Sequence, residues 1–153
     1  MKLHADFSKR VEINTNEMEW IASPAGGVDR KMLDRIGGEK ARATSIVRYA
    51  ADSAFPEHEH QLCRELCVME GVLSEEHGDY PAGTYVRNPD DTRHSPFSKD
   101  GCTILVKLRQ FEQNDYRHFS INNATADWEP RGLPGLSVIH LHEHGTEMVR
   151  FVK

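Results

Sequence analysis

The chain has 153 residues, 38% of them hydrophobic and 28% charged, with a formal net charge of −5 at pH 7. That is one domain's worth of sequence, apolar enough to bury a core and too apolar for a disordered segment. No run approaches the roughly 18 apolar residues that span a bilayer, Met1 to Asp6 open no signal-like apolar stretch, and the intermixed charges form no basic patch. A cytoplasmic protein without membrane or nucleic-acid partners is expected. Three cysteines, Cys63, Cys67 and Cys102, are an odd count in a chain with no secretory signal. Reduced thiols acting as small buried hydrophobes are the expectation.

Residues 7–20 carry Val11, Ile13, Met18 and Trp20 among polar neighbours and predict an extended lead-in, closed by the turn Ser23-Pro24-Ala25-Gly26-Gly27. Val28 to Ile36 and Ala43 to Tyr49, separated by Gly37-Gly38, predict a hairpin. A helix over 29–35 would be too short to hold itself. Phe55-Pro56 then leads into His58 and His60, and strands are predicted over Leu66–Leu73, Gly83–Asn88 and Cys102–Leu108, with turns at 74–79 and 89–93. Short strands punctuated by Gly, Pro, Asp and Asn about every ten residues predict an all-β sandwich or barrel.

The tail resembles the head. Ile13 through Trp20 matches Ile121 through Trp128, and the same offset carries Gly27 onto Gly135 and Leu33 onto Leu141. After a six-residue deletion Thr44, Val47, Arg48 and Tyr49 match Thr146, Val149, Arg150 and Phe151. Such self-similarity predicts a partial duplication whose second hairpin covers a sheet edge. His140, His142 and His144 alternate like metal ligands, but their counterparts in the first copy are Met32, Asp34 and Ile36. They are expected to be solvent-exposed.

The chemistry-bearing pattern is His58-x-His60 answered by His94. On an extended strand His-x-His puts both imidazoles on one side, and a neighbouring strand ending at Pro89 brings the third. Three imidazoles suit a first-row divalent ion and leave positions open for water or substrate, as in a catalytic site. The alternative is a polar strand start, with Glu57 and Glu59 as flanks. By strand parity Arg64 shares the face of the histidines and Glu65 points away unless a bulge re-aims it. Glu65 and Glu76 are both candidates for a further ligand or a proton acceptor. Arg64 is either an anion clamp at the rim or a solvated side chain.

His58-x-His60, an acid near Glu65, Gly71, then Gly83-x5-Pro89 and His94 resemble the two cupin motifs, with Asp91 where the second motif usually carries glycine. Leu66 to Val72, Glu76 to Tyr85 and Gly101 to Leu108 are similar to ChrR-like cupins, and the resemblance is strongest over 44–110. It implies an all-β cupin (RmlC-like) jelly-roll barrel. Residues 1–153 would form one domain, with 1–110 a complete cupin unit and 111–153 a partial repeat of the N-terminal hairpin. It also implies one divalent transition metal per subunit, iron or zinc before nickel or manganese, held by His58, His60, His94 and Glu65, with Glu76 and Arg64 as catalytic candidates. The family glutamate usually stands four residues after the second histidine, where this chain has Arg64. Relatives in the family imply two functions. One is a dioxygenase of the acetylacetone or dihydroxyacetophenone type, acting on a small diketone or hydroxyketone substrate. The other is a zinc-binding sensor module like the cupin half of the ChrR anti-sigma factor. A homodimer is expected from the same resemblance.

Overall fold

The computed structural model describes residues 1–24, 26–38, 40–54, 58–59, 63–89 and 93–153, with the backbone alone at 58, 59, 93 and 94. No α-helix occurs among them. Strands β1 (Lys2–Leu3) and β2 (Ile21–Ala22), separated by a 3-10 turn at Thr15–Glu17, both pair with β3 (Val28–Gly37), which folds back on β4 (Ala41–Tyr49). Strands β5 (Ser53–Ala54) and β6 (His58–Glu59) lead to β7 (Arg64–Glu75), β8 (Gly78–Pro81) and β9 (Thr84–Asn88). Then come β10 (Arg93–His94), β11 (Phe97–Ser98) and β12 (Cys102–Leu108). The C-terminal part holds β13 (Phe119–Asn122), β14 (Glu129–Pro130), β15 (Ser137–His144) and β16 (Glu147–Val152).

Antiparallel neighbours β3, β4, β12, β7, β9 and β13 make one wall. Strand β7 is long enough to serve two walls. Its first residues, Arg64 to Cys67, pair with β9, while Val72 to Glu75 pair with β8 and Ser74 faces Phe97 of β11, which pairs with β5. The sheet thus curls into an all-β barrel, one of the two architectures that the strand spacing predicts.

Bulges set which side chains face in. In β7 the register with β12 shifts so that Ile104 faces Val68 and Thr103 faces Glu70, leaving Met69 as the extra residue. Ahead of it Leu66 and Val68 belong to the core; beyond it the core residue is Leu73. Inward parity has moved from even to odd numbers, as an inserted residue requires. In β3 a shift between Met32 and Asp34 leaves Leu33 extra and turns Arg35 to the interior. In β15 a shift between His140 and His142 leaves Leu141 extra, at the position that the internal repeat matches to Leu33. The second strands register differently from the sequence match, with Thr44 opposite Asp34 and Val149, not Thr146, opposite His142.

Two apolar clusters follow. The barrel core gathers Tyr49, Leu66, Val68, Leu73, Val86 and Ile104. A second cluster forms on the outer face of the wall, where Tyr85, Phe119 and Ile121 meet Ile139, Leu141, Trp128 and Phe151 of the C-terminal part. The tail hairpin therefore lies over the wall of its own chain. A cavity of about 270 Å³ remains between them, bordered by Cys67, Leu105, Leu141 and Val149. None of the three cysteines forms a disulfide.

Candidate functional site

The barrel interior holds a cavity of about 160 Å³, open to solvent on one side, whose lining includes Arg30, Arg35, Tyr49, Arg64, Ile104 and Val106. Cross-strand register explains the convergence. Arg35 on β3, Ala43 on β4, Leu108 on β12 and Arg64 on β7 are successive partners in one row, and side chains in a row share a face. Arg30 stands in the row of Val47 and Ile104, on the same face. Arg64 is buried and donates from Nη2 to Glu75 Oε2 at 3.3 Å, with no side-chain surface of Glu75 exposed. Burial pushes the Tyr49 hydroxyl up to about 12, so it is protonated at neutral pH. Tyr80 is raised as well, first by burial and then by Glu75.

Arg64 thus faces inward, one of the two alternatives left open by its sequence. Glu75, which the sequence reading did not single out, lies inside, while the candidate Glu76 lies outside. The extra residue at Met69 brings Glu75 inside, whereas Glu76 is exposed and its Oε1 accepts the Ser95 backbone N–H at 2.8 Å. That bond ties the β7–β8 turn to the residue after His94. His58 and His94 are direct partners in the antiparallel pair β6–β10, next to the pair of β5 with β11. His60 lies outside the described residues, as does Asp91.

Glu65 lies on the opposite face of β7 from Arg64, inside a different network. No bulge interrupts β7 at this point, and Glu65 is opposite Arg87 on one side and Lys107 on the other. Tyr85 Oη donates to Glu65 Oε2 at 2.6 Å, Arg87 Nη1 donates to the same oxygen at 3.2 Å, and Lys107 Nζ is 3.3 Å from Oε1. Arg87, with no exposed surface, also donates from Nη2 to Asp115 at 2.5 Å and to Glu147 at 2.8 Å, and its guanidinium stacks 3.6 Å from the Phe111 ring centre. His142 Nε2 is 2.7 Å from Asp115 Oδ2.

His142 is therefore buried, against the expectation of exposure for the three tail histidines. The bulge at Leu141 breaks the alternation, leaving His140 outside and turning His142 toward the barrel. Asp115, His142 and Glu147 bring ligand atoms within 4.8 Å of one another, a spacing that suits a metal ion. Arg87 already serves as the cation there. Burial pulls the Arg87 pKa down, but hydrogen bonds to Glu147, Tyr85 and Asp115 outweigh it and the net shift is upward. Burial raises the Asp115 carboxyl, and hydrogen bonds from His142 and Arg87 outweigh it, so Asp115 lies below its ordinary 3.8.

A ChrR cupin-like domain model matches residues 8–112, most of the barrel. The chain belongs to the ChrR cupin-like family. No curated protein matches it significantly by sequence. Among solved structures it is similar to the anti-sigma factor ChrR in complex with SigE from Rhodobacter sphaeroides, at 22% identity and TM-score 0.52, covering 62% of this chain and 51% of that one. It is also similar to a candidate dioxygenase from Nostoc punctiforme, at 15% identity and TM-score 0.62, covering 76% and 47%. A candidate acetylacetone dioxygenase from Methylibium petroleiphilum matches at 20% identity and TM-score 0.59, covering 72% and 86%. The chain spans about half the length of the first two. At these identities the likeness is one of fold, and RmlC-like cupins such as that of Ralstonia eutropha share it, at TM-score 0.57. No helix among the described residues is long and apolar enough to cross a membrane.

Proposed function

We propose that this ChrR cupin-like chain is a mononuclear metal-dependent dioxygenase acting on a small diketone or hydroxyketone. His58, His60 and His94 hold one divalent ion, iron(II) in this reading. The observation that supports it is register: His58 and His94 are opposite each other in β6–β10. Partners in an antiparallel pair have Cα atoms about 4.5–5.5 Å apart, close enough for two imidazoles to meet one ion. When bound, the ion supplies positive charge for a substrate oxyanion and the redox capacity for oxygen.

The protein's own groups do the rest. Glu75 takes the interior acid role, which its sequence neighbour Glu76 and the outward Glu65 do not fill, and Arg64 holds its carboxylate in place. Tyr49, protonated at neutral pH, borders the same cavity. Glu76 steadies the segment after His94 through the Ser95 N–H. The family match supports a second reading, a zinc-holding sensor module.

Metal analysis of protein purified without added metal, repeated after anaerobic loading with Fe(II), tests both readings when followed by oxygen uptake over a panel of diketones and hydroxyketones. One iron per chain with substrate-dependent oxygen consumption is expected, and His58→Ala, His60→Ala and His94→Ala should each lose the metal. Tightly held zinc without turnover after iron exchange selects the sensor. Unchanged metal content in all three variants removes both.

A further inference from the structure

We propose that the barrel interior is built for a small organic dianion, a dicarboxylate, so that the substrate carries carboxylate groups beside its keto or hydroxyketone function. The inference rests on reading this cavity as the substrate site. Arg30, Arg35 and Arg64 border one cavity, and no carboxylate side chain lines it among the described residues. Only Arg64 has an acidic partner, Glu75. Arg35 donates to the Gly38 carbonyl alone, and Arg30 has no hydrogen-bond or ion-pair partner among the described residues. The Nε atoms of Arg30 and Arg64 are sealed from solvent without an acceptor.

Among the described residues, three guanidinium charges at this cavity meet one carboxylate, that of Glu75, which leaves two positive charges without an acidic partner. Cations drawn partly out of water without counter-ions are costly, and natural interiors pair them. A ligand with two negative charges completes the set, and the planar guanidinium fork matches a carboxylate through two parallel hydrogen bonds. The arginines are also placed by backbone features. Arg35 is inside only because β3 carries the extra Leu33, and it joins the same cross-strand row as Arg64.

Size and polarity narrow the class further. The cavity of about 160 Å³ is comparable to one that accepts benzene, which corresponds to roughly six to nine non-hydrogen atoms. Beside the arginines, Ser23, Ser45 and Tyr49, the wall is apolar, from Val28, Val47, Ile104, Val106 and Leu108. That apolar part suits the carbon skeleton of a short diacid, which inorganic phosphate lacks.

Isothermal titration of the metal-free 153-residue protein with malonate tests this without reference to oxygen chemistry, with phosphate and neutral acetylacetone as parallel ligands. Malonate should bind saturably and acetylacetone at least about tenfold more weakly, because a charge-assisted fork contact is lost. Arg30→Gln should weaken malonate about tenfold or more while leaving the melting temperature unchanged or raised, since no native partner is lost, and Arg35→Gln should act in the same direction on binding. Absence of malonate binding, binding indifferent to both substitutions, or phosphate bound as tightly as malonate would each overturn the proposal. Oxygen uptake with acetylacetone that persists in Arg30→Gln, with no malonate binding, overturns it and leaves the dioxygenase reading standing. Malonate binding sensitive to Arg30, with no oxygen uptake from any keto acid after iron loading, upholds the anion site and removes the dioxygenase.

Discussion

Arg87 joins the acids of three separated segments: Glu65 of β7, Asp115 of the connection after β12, and Glu147 of β16, with the Tyr85 hydroxyl alongside. A buried ion pair is weak grounds for stability as a whole, but removing one partner strands the other charges in low dielectric. Arg87→Met should therefore cost about 3–5 kcal/mol. Urea denaturation monitored by tryptophan fluorescence would measure it, and a loss under 1 kcal/mol would mean that the carboxylates find water instead. Arg87→Lys should recover little, because an ammonium cannot offer the separate Nη1 and Nη2 contacts that the guanidinium makes. Part of this site was legible residue by residue. Parity alone separated Arg64 from Glu65, because a strand's alternation is local. It could not select Glu75 over Glu76, because the extra residue at Met69 appears only once β12 is laid beside β7.

At the scale of elements, the hairpin β3–β4 and the strands β7, β9 and β12 were readable from apolar runs and their Gly and Pro boundaries. Bulges were not readable, since each is a property of two paired strands. The same gap explains His142, which alternation places with His140 and the bulge at Leu141 turns inward. Gly71 shows how tightly one such irregularity is held. Its φ is +72°, and a Cβ there would sit 2.2 Å from the Gly101 carbonyl oxygen, a backbone atom just ahead of β12 that cannot swing away as a side chain can. Gly71→Ala should destabilise by about 1–3 kcal/mol from left-handed strain alone, with the clash added. Gly135 provides the control, at φ +81° with nothing within 4 Å of the added carbon. Thermal melts of Gly71→Ala and Gly135→Ala side by side should show the larger drop at Gly71; equal drops would assign the effect to φ and not to the contact.

For the whole molecule, the tail is attached to the barrel by one apolar cluster and one set of charges, and the two respond differently to acid. Leu141, Ile139 and Phe151 pack on Tyr85 and Phe119 whatever the pH. The charges do not behave that way. Asp115 is held below its ordinary 3.8 through hydrogen bonds from His142 and Arg87 that outweigh burial. Glu112, exposed on the same connection, is held below its ordinary 4.5 chiefly by the Thr146 hydroxyl in the β15–β16 turn. Both have folded-state pKa values beneath their unfolded ones, so the unfolded chain binds more protons as the solution is acidified. Their contribution is complete above the unfolded values and fades as pH falls through the folded values. Stability should thus be flat from neutrality to about pH 5 with respect to these groups and decline below about pH 4. The loss should begin at the tail, because Asp115 and Glu112 bridge to β15–β16 and to no barrel strand but β9. Hydrogen exchange should therefore release the amides of Ser137–Val152 at a higher pH than those of β4 and β12. Asp115→Asn should lower stability at neutral pH and flatten the acid decline together, since it removes the titrating group as well as its contacts. A variant that loses stability yet keeps the full acid slope would move the proton uptake to other carboxylates and leave the tail docked by its apolar cluster alone.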